Sequence, residues 1–132
     1  MAFASEEIIE VMNKVKPPYN INEATQKLAL QALQNVEQVN TWIKDTLNER
    51  DNLVKELTKF NLVLDIYPSD ANFILVKTTD AKGIYDYLVS KGIIVRDRSK
   101  VELCEGSLRI TVGKPEENQQ LITTLQQYNE RA

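Results

Sequence analysis

The chain contains no histidine and a single cysteine, Cys104. Without histidine there is no imidazole to act as general base, nucleophile partner or metal ligand. With one cysteine besides, zinc sites of the usual nitrogen and sulfur type are excluded. An internal disulfide is excluded too, so a reducing cytoplasm is the expected compartment. Catalysis within the chain would have to rest on carboxylates, lysines, tyrosines or a cofactor. The glycines, Gly83, Gly92, Gly106 and Gly113, are scattered, so no glycine-rich loop cradles a phosphate. No apolar run approaches the roughly 20 residues of a membrane span. The N-terminal stretch has neither the basic start nor the apolar core of a secretory signal. A formal charge of −3, with both signs mixed, gives no footprint for nucleic acid or an anionic membrane.

What is present is a globular composition. The 132 residues are 42% hydrophobic and 27% charged, enough chain for one domain with a real core. Ser5 followed by Glu6 and Glu7 predicts an N-cap and acidic first turn for a helix reaching about Lys16, where Pro17-Pro18 ends it. After the loop Pro18-Tyr19-Asn20-Ile21-Asn22, Asn22 is placed to cap a second helix through Leu33. From Asn35 to Phe60 the apolar residues Val36, Val39, Trp42, Ile43, Leu47, Leu53, Val54, Leu57 and Phe60 recur at three- and four-residue steps. Neither glycine nor proline interrupts them. That is a helix of roughly 25 residues, about 38 Å long. It is too long for the core of so small a domain alone, and it lacks the sustained leucine heptads of a coiled-coil arm.

Beyond Phe60 the period changes to two. Leu62, Leu64 and Ile66 alternate with Val63, Asp65 and Tyr67 as a strand. Pro68-Ser69-Asp70 is a turn. The unbroken run Phe73-Ile74-Leu75-Val76 predicts a central strand covered on both faces. Thr79 or Asp80 caps a helix that Gly92 closes. Ile93-Ile94-Val95 begins a third strand, with Arg96 at its exit, and Leu108–Val112 forms a fourth. Pro115, Glu116 and Glu117 open the last helix. The fold class is α+β: long N-terminal helices, then a small, mainly antiparallel sheet covered by helices on one face. The expected divisions are 1–34, a bridging helix over 35–60, and the small α+β domain over 61–132.

In the fourth strand Leu108, Ile110 and Val112 share one face and Arg109 and Thr111 the other. An arginine fixed on a strand is a planar five-donor fork suited to a carboxylate or phosphate. Alternation alone is equally met by an ordinary solvent-facing arginine. With helices on one face, Arg109 projects from the other, and Arg96 on the neighbouring strand is placed to join it. Asp97, beside Arg96, is an alternative partner for it. Asn72, Tyr19, Asn20 and Asn22 are loop residues that either cap backbone groups or contact a ligand. Cys104 has no group to activate it. Trp42 is core or contact surface.

Taken together, Ser69-Asp70-Ala71-Asn72-Phe73, Gly92-Ile93-Ile94-Val95-Arg96-Asp97 and Leu108-Arg109-Ile110-Thr111-Val112-Gly113 resemble the C-terminal third of the histidinol-phosphate aminotransferase family. Met1-Ala2-Phe3-Ala4 through Asn22 looks like the stretch just upstream in the same family, so the likeness covers essentially the whole chain. It implies a fold-type I pyridoxal-phosphate enzyme, a cytoplasmic homodimer. Its members move an amino group between histidinol phosphate and 2-oxoglutarate or glutamate in histidine biosynthesis. The arginine matching Arg109 would bind the substrate anion, either carboxylate or phosphate. The one matching Arg96 would help hold the phosphate, and Asn20 would lie near the pocket. The small-molecule phosphate or carboxylate substrate is the implied partner.

The resemblance also implies what is not here. In the family the Schiff-base lysine stands just before the stretch matching Met1, and the groups that hold the cofactor lie further upstream. No lysine of this chain stands in a matching context. The chain alone is therefore expected neither to hold pyridoxal phosphate nor to transaminate, and it has no catalytic or cofactor-binding residue to nominate. Two other readings remain open: a non-catalytic α+β module that binds an anionic metabolite, and a domain of a related phosphothreonine-type decarboxylase.

Overall fold

The computed structural model describes residues 3–17 and 21–130. They fall into two compact units, residues 1–39 and 40–132. The first holds helices α1 (Glu6–Val15) and α2 (Glu23–Leu33). Ser5 occupies the N-cap position of α1 but its hydroxyl makes no capping bond, whereas the Asn22 side chain accepts the Thr25 N–H at 2.8 Å. Neither helix contains a buried residue. Helix α3 (Val36–Leu57) begins within the first unit.

The second unit continues with β1 (Val63–Tyr67), β2 (Phe73–Thr78), α4 (Ala81–Ser90), β3 (Arg96–Asp97), β4 (Ser107–Thr111) and α5 (Pro115–Asn129). The strands form one antiparallel sheet in the order β1-β2-β4-β3. Ile74, Val76, Leu108 and Ile110 all point to one face. There they meet Leu53 and Leu57 of α3, Ala81, Ile84 and Leu88 of α4, and Leu121, Ile122 and Leu125 of α5. Removing that apolar surface from water, at about 25 cal/mol per Å², is the main force closing the unit. The α+β class with helices on one sheet face is as expected.

Local signals act where the sequence places them. Asp80 rather than Thr79 caps α4, accepting the Gly83 N–H at 2.9 Å. Gly92 takes φ +77°, and the chain reverses with Ile93 N–H donating to the Leu88 carbonyl. Pro115 opens α5, and Glu117 reaches back to the Lys114 N–H at 2.8 Å.

Four details differ from expectation. Helix α3 stops at Leu57, because Thr58 turns its hydroxyl onto the Lys55 carbonyl and Phe60 bends back against the core. In β1 the register slips between Val63 and Asp65, so Leu64 is a bulge residue, 59% exposed, and Val63 and Ile66 face inward. Strand β2 is not covered on both faces: Ile74, Val76 and Thr78 are buried while Phe73 and Leu75 are only half-buried. The third strand is the two residues Arg96–Asp97, not Ile93–Val95, which lead into it without pairing. On α3, Trp42 is 61% exposed and so belongs to the surface. Among the described residues no helix is long and apolar enough to cross a membrane.

Candidate anion site on the open sheet face

The face of the sheet opposite the helices carries the second set of alternating side chains. Register places Tyr67 opposite Leu75, Leu75 opposite Arg109, and Arg109 opposite Arg96. A single row thus crosses all four strands, apolar at the β1 end and doubly cationic at the β3 end. Both predicted strand arginines are brought together here. Directly opposed residues of an antiparallel pair have Cβ atoms about 5 Å apart, so the two arginine side chains leave the sheet from adjacent points of one face.

Among the described residues neither arginine has an ion-pair or hydrogen-bond partner. Asp97 does not serve Arg96. Its register partner is Leu108, which faces the core side, and its Oδ1 accepts the Ser99 N–H at 2.8 Å. The Ser99 hydroxyl and N–H together hold the Asp97 carboxyl below the usual carboxylate range. Two uncompensated guanidinium groups on one face of a chain with net charge −3 create a local positive field suited to an anion.

Phe73 supports this pair. Its ring lies 4.9 Å from the Arg109 Cζ, a cation–π contact from the adjacent strand. The Nε of Arg109 is buried without an acceptor. Ser107, on the same strand face, is fully shut in and its hydroxyl too has no acceptor. Asn20 and Tyr19 lie outside the described residues. Asn72 is exposed; the turn before β2 is closed instead by Ser69, whose hydroxyl donates to the Phe73 carbonyl at 2.6 Å and accepts the Ala71 N–H. Cys104 is half-buried and free.

Two residues that the sequence did not single out fix the surroundings. Arg50 of α3 donates through Nη1 to the Ala71 carbonyl at 3.2 Å, tying the helix to the turn that leads into Phe73. Buried Asn118 accepts the Gly113 N–H at 2.9 Å and donates to the Gly113 carbonyl and to Glu49, binding the end of β4 to α3 and α5. A hollow of about 490 Å³ beside that joint is lined by Trp42, Asp45, Glu49 and Glu117 among others. Its acidic lining suits no anion, and it holds neither arginine. Among the described residues no cluster of three or more histidines, cysteines, aspartates or glutamates could hold a metal ion.

Comparison with known proteins agrees with this architecture. The histidinol-phosphate aminotransferase of Cytophaga hutchinsonii is 55% identical over 127 residues, covering 96% of this chain and 36% of its own length. That of Bacteroides thetaiotaomicron is 48% identical over 128 residues, 97% of this chain and 37% of its own. The chain thus spans little more than a third of the curated relatives it matches. The crystal structure of histidinol-phosphate aminotransferase from Clostridium acetobutylicum superposes with a TM-score of 0.88 at 20% identity, over 96% of this chain and 39% of that one. The model of the family described as aminotransferase class I and II matches residues 1–125. The chain belongs to the class I and II aminotransferase family.

Proposed function

We propose that this chain supplies substrate-anion recognition to an aminotransferase that moves an amino group between histidinol phosphate and 2-oxoglutarate or glutamate. The observation that carries the reading is the unpartnered pair Arg96 and Arg109, opposed across the β3–β4 ladder. A guanidinium fork accepts a carboxylate and a phosphate in the same geometry, which lets one site serve both substrates in turn. Arg109 is the fork, and Arg96 adds donors for the further oxygens that only a phosphate presents. Asn20 is carried as a third contact by the likeness of its loop to the family alone.

The family uses pyridoxal phosphate, which supplies the electron sink for amino-group transfer when bound. Its covalent anchoring calls for a lysine enclosed with an acid against the pyridine nitrogen and a cradle for the phosphate. Every lysine of this chain is exposed. The residues present fit the anion and not the anchor, so the chain alone is inactive and catalysis needs residues beyond these. A homodimeric, cytoplasmic enzyme is the assembly proposed. In its support, α1 and α2 bury nothing and leave Ile8, Val11, Met12, Val15, Leu28 and Leu33 exposed, an apolar surface of the kind that a larger assembly covers.

Calorimetric titration of the chain with histidinol phosphate tests the reading. Weak, saturable binding, with Kd on the order of millimolar, abolished by Arg109→Ala, is expected. Absence of any binding, or binding indifferent to Arg109→Ala, contradicts it. Micromolar affinity in the chain alone would favour a free-standing metabolite-binding module instead.

A further inference from the structure

We infer that Phe73 is a positioning residue that turns Arg109 so that it takes its anion end-on, through Nη1 and Nη2, and not along the Nε edge. The inference rests on the reading of Arg109 as an anion fork and names the edge of the fork that is used.

A guanidinium offers two edges for bidentate recognition, Nη1 with Nη2 and Nε with Nη2. In this chain the second is closed. Among the described residues Nε of Arg109 is shut off from solvent with no acceptor, whereas the two terminal nitrogens, which have no partner there either, are not buried. Phe73 accounts for the orientation. It stands on β2 opposite Thr111, two pairs along the ladder from Leu75 and Arg109 and so on the same sheet face, and its ring sits 4.9 Å from the guanidinium carbon. The negative face of the ring attracts the cation, and the contact fixes side-chain torsions that an arginine on an open sheet would otherwise sample freely. Phe73 is itself held, since its neighbour Ile74 is 1% exposed and its carbonyl accepts the Ser69 hydroxyl. A buried N–H without an acceptor is unfavourable; stacking on the ring and outward presentation of the terminal nitrogens compensate for it. The fork then points away from the sheet with its two outer nitrogens in front, beside Arg96.

The test is nitrogen-15 NMR of the arginine side chains in the full chain, titrated with inorganic phosphate, for wild type, Phe73→Tyr and Phe73→Leu. In wild type the Nη resonances of Arg109 shift while Nε–H stays slow to exchange and moves little. Phe73→Tyr keeps this pattern. Phe73→Leu weakens phosphate binding roughly three- to thirtyfold, speeds Nε–H exchange and brings Nε–H into the response. A purely structural role for Phe73 would lower the unfolding temperature without changing which nitrogen responds. The inference is overturned if Nε–H leads the response in wild type, or if Phe73→Leu titrates as wild type does. Should Phe73→Leu fail to fold, the wild-type titration alone still decides between the two edges. If phosphate moves no Arg109 resonance, the anion reading itself falls, which is a different failure from the wrong edge responding.

Discussion

Arg96 and Arg109 stand opposite each other on β3 and β4, like charges on one sheet face with no ion-pair partner for either among the described residues. Directly opposed like charges destabilise a ladder, where an opposite-charge pair would contribute about 0.2–1 kcal/mol. Stability alone would place a glutamate or threonine at one of the two positions. The proposed anion site accounts for the pair.

Arg96→Thr should therefore separate stability from recognition. Thr suits a strand and removes the repulsion, so the unfolding free energy is expected to stay level or rise by about 0.5 kcal/mol. Phosphate binding should weaken while acetate binding, which needs only the Arg109 fork, stays within about twofold. Denaturant unfolding and parallel titrations with the two anions measure both quantities.

Two positions on α3 should respond differently to truncation. Leu57 is 0% exposed against the sheet and Leu47 is 41% exposed. Leu57→Ala should cost about 2–5 kcal/mol through the cavity it leaves, and Leu47→Ala about 0.5 kcal/mol or less. Urea unfolding of the two variants gives the comparison.

Asn118→Ala should destabilise by about 1–3 kcal/mol, since it strands the Gly113 N–H and the Glu49 carboxylate that the amide now serves. Asn118→Asp should retain the bond from the Gly113 N–H but set a second carboxylate against Glu49. Thermal unfolding of both variants checks the order, with neither reaching wild type.

Asp97 gives an acid limb to stability. Its folded carboxyl titrates below the ordinary 3.8 because the Ser99 hydroxyl and N–H favour the charged form. That contribution is present above the unfolded value and is lost as pH falls through the folded one. Asp97 is exposed, so screening limits the effect to a few tenths of a kcal/mol. Asp97→Asn should lower stability slightly at about pH 6 and match wild type at about pH 2, as read from chemical unfolding at the two pH values.

Much of this was legible in the sequence because it rests on local rules. Alternation in Leu108–Val112 put Arg109 on the open face, and Asn22, Gly92 and Pro115 marked helix ends by chemistry that needs no tertiary context. The misses share a different cause. Leu64 looks like any alternating strand residue, and only the pairing of β1 with β2 reveals the bulge that turns it outward. Ile93–Val95 carries the β-propensity, yet the ladder forms at Arg96–Asp97, where β4 offers partners. Phe73 belonged to an apolar run that predicts burial, and its stacking on Arg109 depends on cross-strand register. Arg50 and Asn118 act across separations of 21 and 69 residues, which no periodicity encodes.

The central claim is that this chain recognises the substrate anion and relies on other residues for the chemistry. It is tested most directly by assaying transamination from histidinol phosphate to 2-oxoglutarate with the chain alone and with the part of the Cytophaga hutchinsonii relative that this chain does not match supplied in trans. The account predicts no turnover alone and turnover in the mixture, reduced about a hundredfold or more by Arg109→Ala. Turnover by the chain alone, or a mixture unaffected by Arg109→Ala, would contradict it.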